Sequence, residues 1–131
     1  MQFGSNMDDK WVSEDHLPGF KEKCQRFMRL TQSVSEKLMI CFARGLGFAD
    51  DYFVKMHDVS RPNAQTVLRL LHYYKVTAPL SEGHYRAGAH ADWDLLTLLF
   101  QRNKGSSGLE ICPGREVVTD FGIGNDWTPV E

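Results

Sequence analysis

Residues 86–101 read RAGAHADWDLLTLLFQ, and the fold turns on this stretch. A loop carrying Gly88 leads into His90-Ala91-Asp92, and a leucine-rich run follows at residues 95–101 (LLTLLFQ). That run is short and bounded by polar and glycine-bearing sequence, which favours a strand over a helix. On an extended backbone, side chains at i and i+2 point to the same side. The imidazole of His90 and the carboxylate of Asp92 can therefore approach one metal ion together. A histidine and a carboxylate, completed by one further histidine, make the facial triad of non-haem Fe(II) oxygenases, with three protein ligands on one side and the other side open. A bare His-x-Asp arises often by chance as a hydrogen-bonded surface pair, so its surroundings decide the matter.

Working outward, residues 66–74 (TVLRLLHYY) are apolar, aromatic and short, and predict another strand. Residues 75–89, with Pro79, Gly83 and Gly88, predict a loop. Downstream, residues 102–108 predict a turn, residues 109–112 a third short strand, residues 114–125 an irregular hairpin, and residues 127–131 the start of a further element. Upstream the period changes. Phe20, Cys24, Phe27, Thr31, Val34, Leu38 and Cys41 recur at spacings of three and four, which predicts a long helix burying that face. Lys21, Lys23, Arg26, Arg29 and Lys37 lie opposite, and Gly45 and Gly47 supply the stop. A short second helix follows, with Asp50 and Asp51 at its start and Tyr52, Phe53 and Met56 facing inward.

Residues 1–19 are polar and predict an irregular lead-in; residues 20–131 are expected to be the N-terminal helical part and first strands of one domain. Helices followed by strands argue an α+β fold. A jelly roll needs about eight strands, more than are legible here, so the expectation is an N-terminal helical part followed by an incomplete part of a double-stranded β-helix, in a chain that is a fragment or truncated product.

The 131 residues are 42% apolar, with a net charge of -2. A slightly acidic chain without a basic block gives no electrostatic reason to expect nucleic acid or an anionic membrane as partner. No apolar run reaches the length of a membrane span, and the first residues lack a signal-peptide pattern. Cys24, Cys41 and Cys112 are widely spaced, with no Cys-x-x-Cys. That fits a reducing, cytoplasmic setting.

The combination LRLLHYY, RAGAHADWDLLTLLFQ and GLEIC resembles the isopenicillin-N-synthase-like family of Fe(II)/2-oxoglutarate-dependent dioxygenases. The likeness runs from about Trp11 to Val130 and includes the Leu17-Pro18-Gly19-Phe20 approach to the long helix and its Gly45-Leu46-Gly47 exit. It implies an oxidoreductase using Fe(II), 2-oxoglutarate as cosubstrate and O2 on a small organic molecule. It implies that His90 and Asp92 are iron ligands, that Tyr73 lies beside cosubstrate or substrate, and that Trp93 lines the substrate pocket unless it is a plain core aromatic. Where relatives place proline, this chain has Tyr74.

The family also needs a later histidine and an Arg-x-Ser whose guanidinium pairs with the far carboxylate of 2-oxoglutarate. No histidine follows His90, and neither Arg102 nor Arg115 is followed by x-Ser. His84 is a candidate substitute ligand set against a solvated loop histidine; His72 reads as a partly buried, hydrogen-bonded residue, and His16 and His57 carry no special signal. Three readings stand: a dioxygenase, inactive as this short chain; a non-catalytic remnant or subunit that joins a complementary chain or self-associates through open strand edges; and, more distantly, a zinc hydrolase.

Overall fold

A computed structural model of the chain describes residues 2–4, 11–62, 64–75, 77–78, 87–101, 108–112 and 127–130. It divides into two compact units, Met1–His72 and Tyr73–Glu131.

The first unit holds strand β1 (Gln2–Gly4), helix α1 (Phe20–Gly45), helix α2 (Tyr52–Met56) and strand β2 (Val67–Arg69). β1 pairs antiparallel with β2, Phe3 opposite Leu68. The lead-in is therefore not wholly irregular. Ladder bonds run between main-chain groups that every residue except proline carries in full, so polar composition did not reveal this strand. β2 occupies only Val67–Arg69 of the longer apolar run.

α1 has 26 residues and spans about 39 Å at 1.5 Å per residue. It starts directly after Gly19, whose φ of 70° a glycine adopts without strain. Its end matches the sequence expectation and has a clear physical cause. Gly47 takes φ 76°, its N–H donates to the Arg44 carbonyl at 3.2 Å, and Phe48 N–H donates to the Ala43 carbonyl at 2.8 Å. This is the Schellman arrangement, in which a left-handed residue turns the chain back onto the last carbonyls.

The buried face of α1 shares Cys24 with the expected one and otherwise differs from it. Cys24, Met39 and Ala43 are buried, Ala43 completely, while Val34 is 48% and Leu30 58% exposed. At 100° per residue, the buried line is turned by roughly a third of the circumference from the Phe27–Val34–Leu38 stripe. What covers the helix explains this. Trp11 meets Phe20 edge-on at 6.2 Å, and the five-residue α2 packs on α1. Both partners are far shorter than α1, and Phe27, Val34 and Cys41 of its apolar stripe stay exposed.

α2 forms where expected, but Tyr52 and Met56 do not face inward; Met56 is 58% exposed. Tyr52 instead stacks on Phe48 at 4.4 Å and meets Phe53 edge-on at 5.1 Å. The corner between the helices is tied by Arg44, whose Nε and Nη2 donate to the two oxygens of Asp50 at 2.9 and 2.7 Å. Asp51 pairs with Lys55 one turn on.

In the second unit, strand β3 (Glu110–Ile111) pairs antiparallel with strand β4 (Thr128–Pro129), so the expected element after Trp127 is a strand. Residues 95–101, expected as a strand, join no ladder among the described residues. The irregular hairpin at 114–125 and most of the turn at 102–108 lie outside the described residues. Helix then strands is the α+β order. No helix among the described residues is long and apolar enough to cross a membrane.

Candidate metal centre

Three short-range contacts shape the His90–Asp92 segment. His90 Nδ1 lies 2.9 Å from the Gly88 carbonyl oxygen. A carbonyl oxygen only accepts, so Nδ1 is the donor in this contact, and Nε2 is the ring nitrogen left to meet another group. That Nε2 lies 3.4 Å from Asp92 Oδ1. The other oxygen, Asp92 Oδ2, accepts a hydrogen bond from the Thr97 hydroxyl. Each of the two side chains thus has one atom tied locally, and His90 Nε2 and Asp92 Oδ1 face each other.

The donor set fits a metal ion. Imidazole nitrogen and carboxylate oxygen both suit first-row divalent metals such as iron and manganese. Bonds from such donors to a divalent ion run to about 2.0–2.2 Å, so atoms 3.4 Å apart lie within reach of one ion. Both side chains are at least half exposed, which leaves a path for an ion to enter. The nearby Asp94 turns one oxygen to its own backbone, accepting Leu95 N–H at 2.7 Å.

A third ligand is not found: among the described residues no group of three His, Cys, Asp or Glu side chains is placed to hold a metal. His84 lies outside the described residues. The ring nitrogens of His16 and His57 have other partners, His16 Nδ1 with Ser13 Oγ at 2.6 Å and His57 Nδ1 with the Phe53 carbonyl at 2.9 Å. His72 is exposed rather than partly buried. Tyr73 is exposed and has no hydrogen bond to the pair, and Trp93 stands fully in solvent. The structure therefore brings together His90 and Asp92 but neither aromatic. Sequence reasoning missed Thr97, although a hydroxyl placed within a leucine-rich run was a legible signal.

A histidine and a carboxylate with converging donor atoms are the donor types used in the His/carboxylate centres of non-haem oxygenases. Relatives carry the assignment further. The chain is 33% identical over 103 residues, 79% of its length, to a 2-oxoglutarate-dependent dioxygenase of Aspergillus rugulosus, covering 30% of that protein. It is 35% identical over 102 residues, 77% of its length, to a proline hydroxylase of Petromyces alliaceus, again covering 30%. It is 31% identical over 104 residues, 79% of its length, to a 2-oxoglutarate-Fe(II) type oxidoreductase of Metarhizium majus, covering 28%. The chain belongs to the Fe(II)/2-oxoglutarate-dependent dioxygenase family. It spans about a third or less of the length of these relatives. No family model and no solved structure matches it.

Proposed function

We propose that residues 1–131 form the early part of an isopenicillin-N-synthase-like dioxygenase, bearing two of the three protein ligands to Fe(II). The observation that carries this reading is the placing of the His90 ring: its Nδ1 lies against the Gly88 carbonyl, and its Nε2 is the nitrogen that faces Asp92 Oδ1. The named activities of the relatives support it. With its cosubstrate bound, Fe(II) would supply the oxidation of a small organic substrate by O2. The protein's own part is to hold two donors on one side and leave the rest of the coordination sphere open. Tyr73 lies beside the cosubstrate and Trp93 lines the substrate pocket in this reading. Both reach those places only when further jelly-roll strands stand over β3 and β4, in a cytoplasmic protein.

Turnover needs more than these residues. The sequence after Asp92 holds neither a histidine to serve as third ligand nor an Arg-x-Ser for the far carboxylate of 2-oxoglutarate. A hydrogen bond to a charged group contributes roughly 1.5–3 kcal/mol, or about ten- to a hundredfold in affinity. The test is succinate formation from 2-oxoglutarate with Fe(II), ascorbate and candidate substrates. The chain alone should release none, and a longer form supplying a histidine and an Arg-x-Ser should release it. Robust iron-dependent succinate release by the chain alone would refute the account and point to His84 as the third ligand.

A second reading, a subunit that acts by association, is favoured by one observation. α1 leaves Leu30, Val34 and Cys41 exposed, the kind of surface that marks an interaction site or an aggregation hazard. Sedimentation of the chain and of a Leu30→Asp, Val34→Asp variant tests it. Association in the first and monomer in the second support it, and a monomeric parent chain removes it.

A further inference from the structure

We infer that Thr97 is a positioning residue of this metal centre, acting through Asp92; the inference rests on the reading of His90 and Asp92 as ligands. A carboxylate has two chemically equivalent oxygens and a soft terminal torsion. Left to itself, Asp92 offers either oxygen, or both, to an ion. The Thr97 hydroxyl has one hydrogen and donates it to Oδ2. That leaves Oδ1 as the oxygen on the imidazole side, 3.4 Å from His90 Nε2.

The device matches the one on the histidine. The Gly88 carbonyl selects the His90 nitrogen that faces the metal, and Thr97 selects the Asp92 oxygen. Both selecting groups lie within one short stretch of chain, so the two ligands are oriented by local contacts. Threonine suits the task because branching at Cβ stiffens χ1, which restricts the direction of the hydroxyl. Charge-assisted hydrogen bonds to carboxylates are the stronger kind, and outer partners of metal ligands typically change affinity by about 10–100-fold when removed. Thr97 is itself exposed, which places the expected effect at the lower end of that range, about tenfold.

The experiment uses Mn(II) as probe on the full chain and follows paramagnetic broadening of the His90 ring and Asp92 amide resonances. It compares the parent chain with Thr97→Val, which keeps the shape and removes the donor, and with Thr97→Ser, which keeps the donor. Circular dichroism checks the helix content of each. Weakening of Mn(II) binding by about tenfold in Thr97→Val, with recovery to near the parent value in Thr97→Ser, is the expected result. Unchanged binding in Thr97→Val, while His90→Ala and Asp92→Ala abolish it, overturns the role of Thr97 and leaves the ligand assignment standing. Equal loss in the valine and serine variants also overturns it, since a donor would then not be what matters. Binding that survives both His90→Ala and Asp92→Ala overturns the ligand assignment and the inference together.

Discussion

Nε2 of His90 faces Oδ1 of Asp92 at 3.4 Å, each presented by a hydrogen bond on its far atom: Nδ1 to the Gly88 carbonyl and Oδ2 from the Thr97 hydroxyl. Two residues apart in sequence, they bring two unlike donors to one side of the chain. The family's chemistry rests on such a pair, and the scaffold around it yields checks of its own.

The face of α1 gives the first prediction. Ala43 has no exposed surface, so Ala43→Asp buries a carboxylate without a partner, at a cost on the order of several kcal/mol. Val34 is 48% exposed, and Val34→Asp should change stability by about 0.5 kcal/mol or less. Thermal melts of the two variants should differ widely. Equal losses would mean that the stripe through Val34 is buried after all.

How much was legible follows from the same helix. Pro18-Gly19 and Gly45-Leu46-Gly47 marked its ends, because backbone conformation at a glycine is a local matter. Its buried face was not legible. Apolar spacing reports which side chains are oily, whereas burial depends on which partners are present, and among the described residues α1 meets Trp11 and the short α2. The same reasoning covers the run at residues 95–101: its composition suits a strand, but a strand exists only with a neighbour to take its backbone bonds. The approach of His90 to Asp92 was readable because a spacing of two puts both side chains on one side of an extended chain. Tyr73 and Trp93 were named from resemblance, and both stand exposed here.

The helix stop gives a pair of opposite signs. Gly47 sits at φ 76° with open space where a Cβ would stand, so Gly47→Ala meets no clash and pays only for the left-handed backbone, about 1–2 kcal/mol. Gly45 is helical, again with open space around it. Gly45→Ala should stabilise by a few tenths to about 1 kcal/mol, by restricting the unfolded chain. Denaturant titrations should move the two midpoints in opposite directions; a shift in the same direction would contradict the assigned stop.

Acid should loosen the corner between the helices. The hydrogen bond from Arg44 holds the Asp50 carboxyl below its ordinary value, aided by the Arg44 charge. A depressed carboxyl contributes stability above its unfolded value, about 3.9, and that contribution fades as pH falls through the lower folded value. Asp50→Asn should remove this part of the acid dependence, and added salt should weaken it in the parent because the pair is exposed. Melting temperature against pH for both proteins checks this; parallel curves below pH of about 5 would exclude the link.

Anaerobic Fe(II) titration of the full chain beside His90→Ala and Asp92→Ala addresses the metal centre itself. Each ligand supplies a lone pair from a fixed direction, and a methyl group supplies none. The account predicts Fe(II) binding by the parent chain that is lost in both variants, with helix content unchanged because neither residue lies in α1 or α2. Fe(II) binding that persists undiminished in both variants would show that the ion is held elsewhere and that His90 and Asp92 are a surface pair.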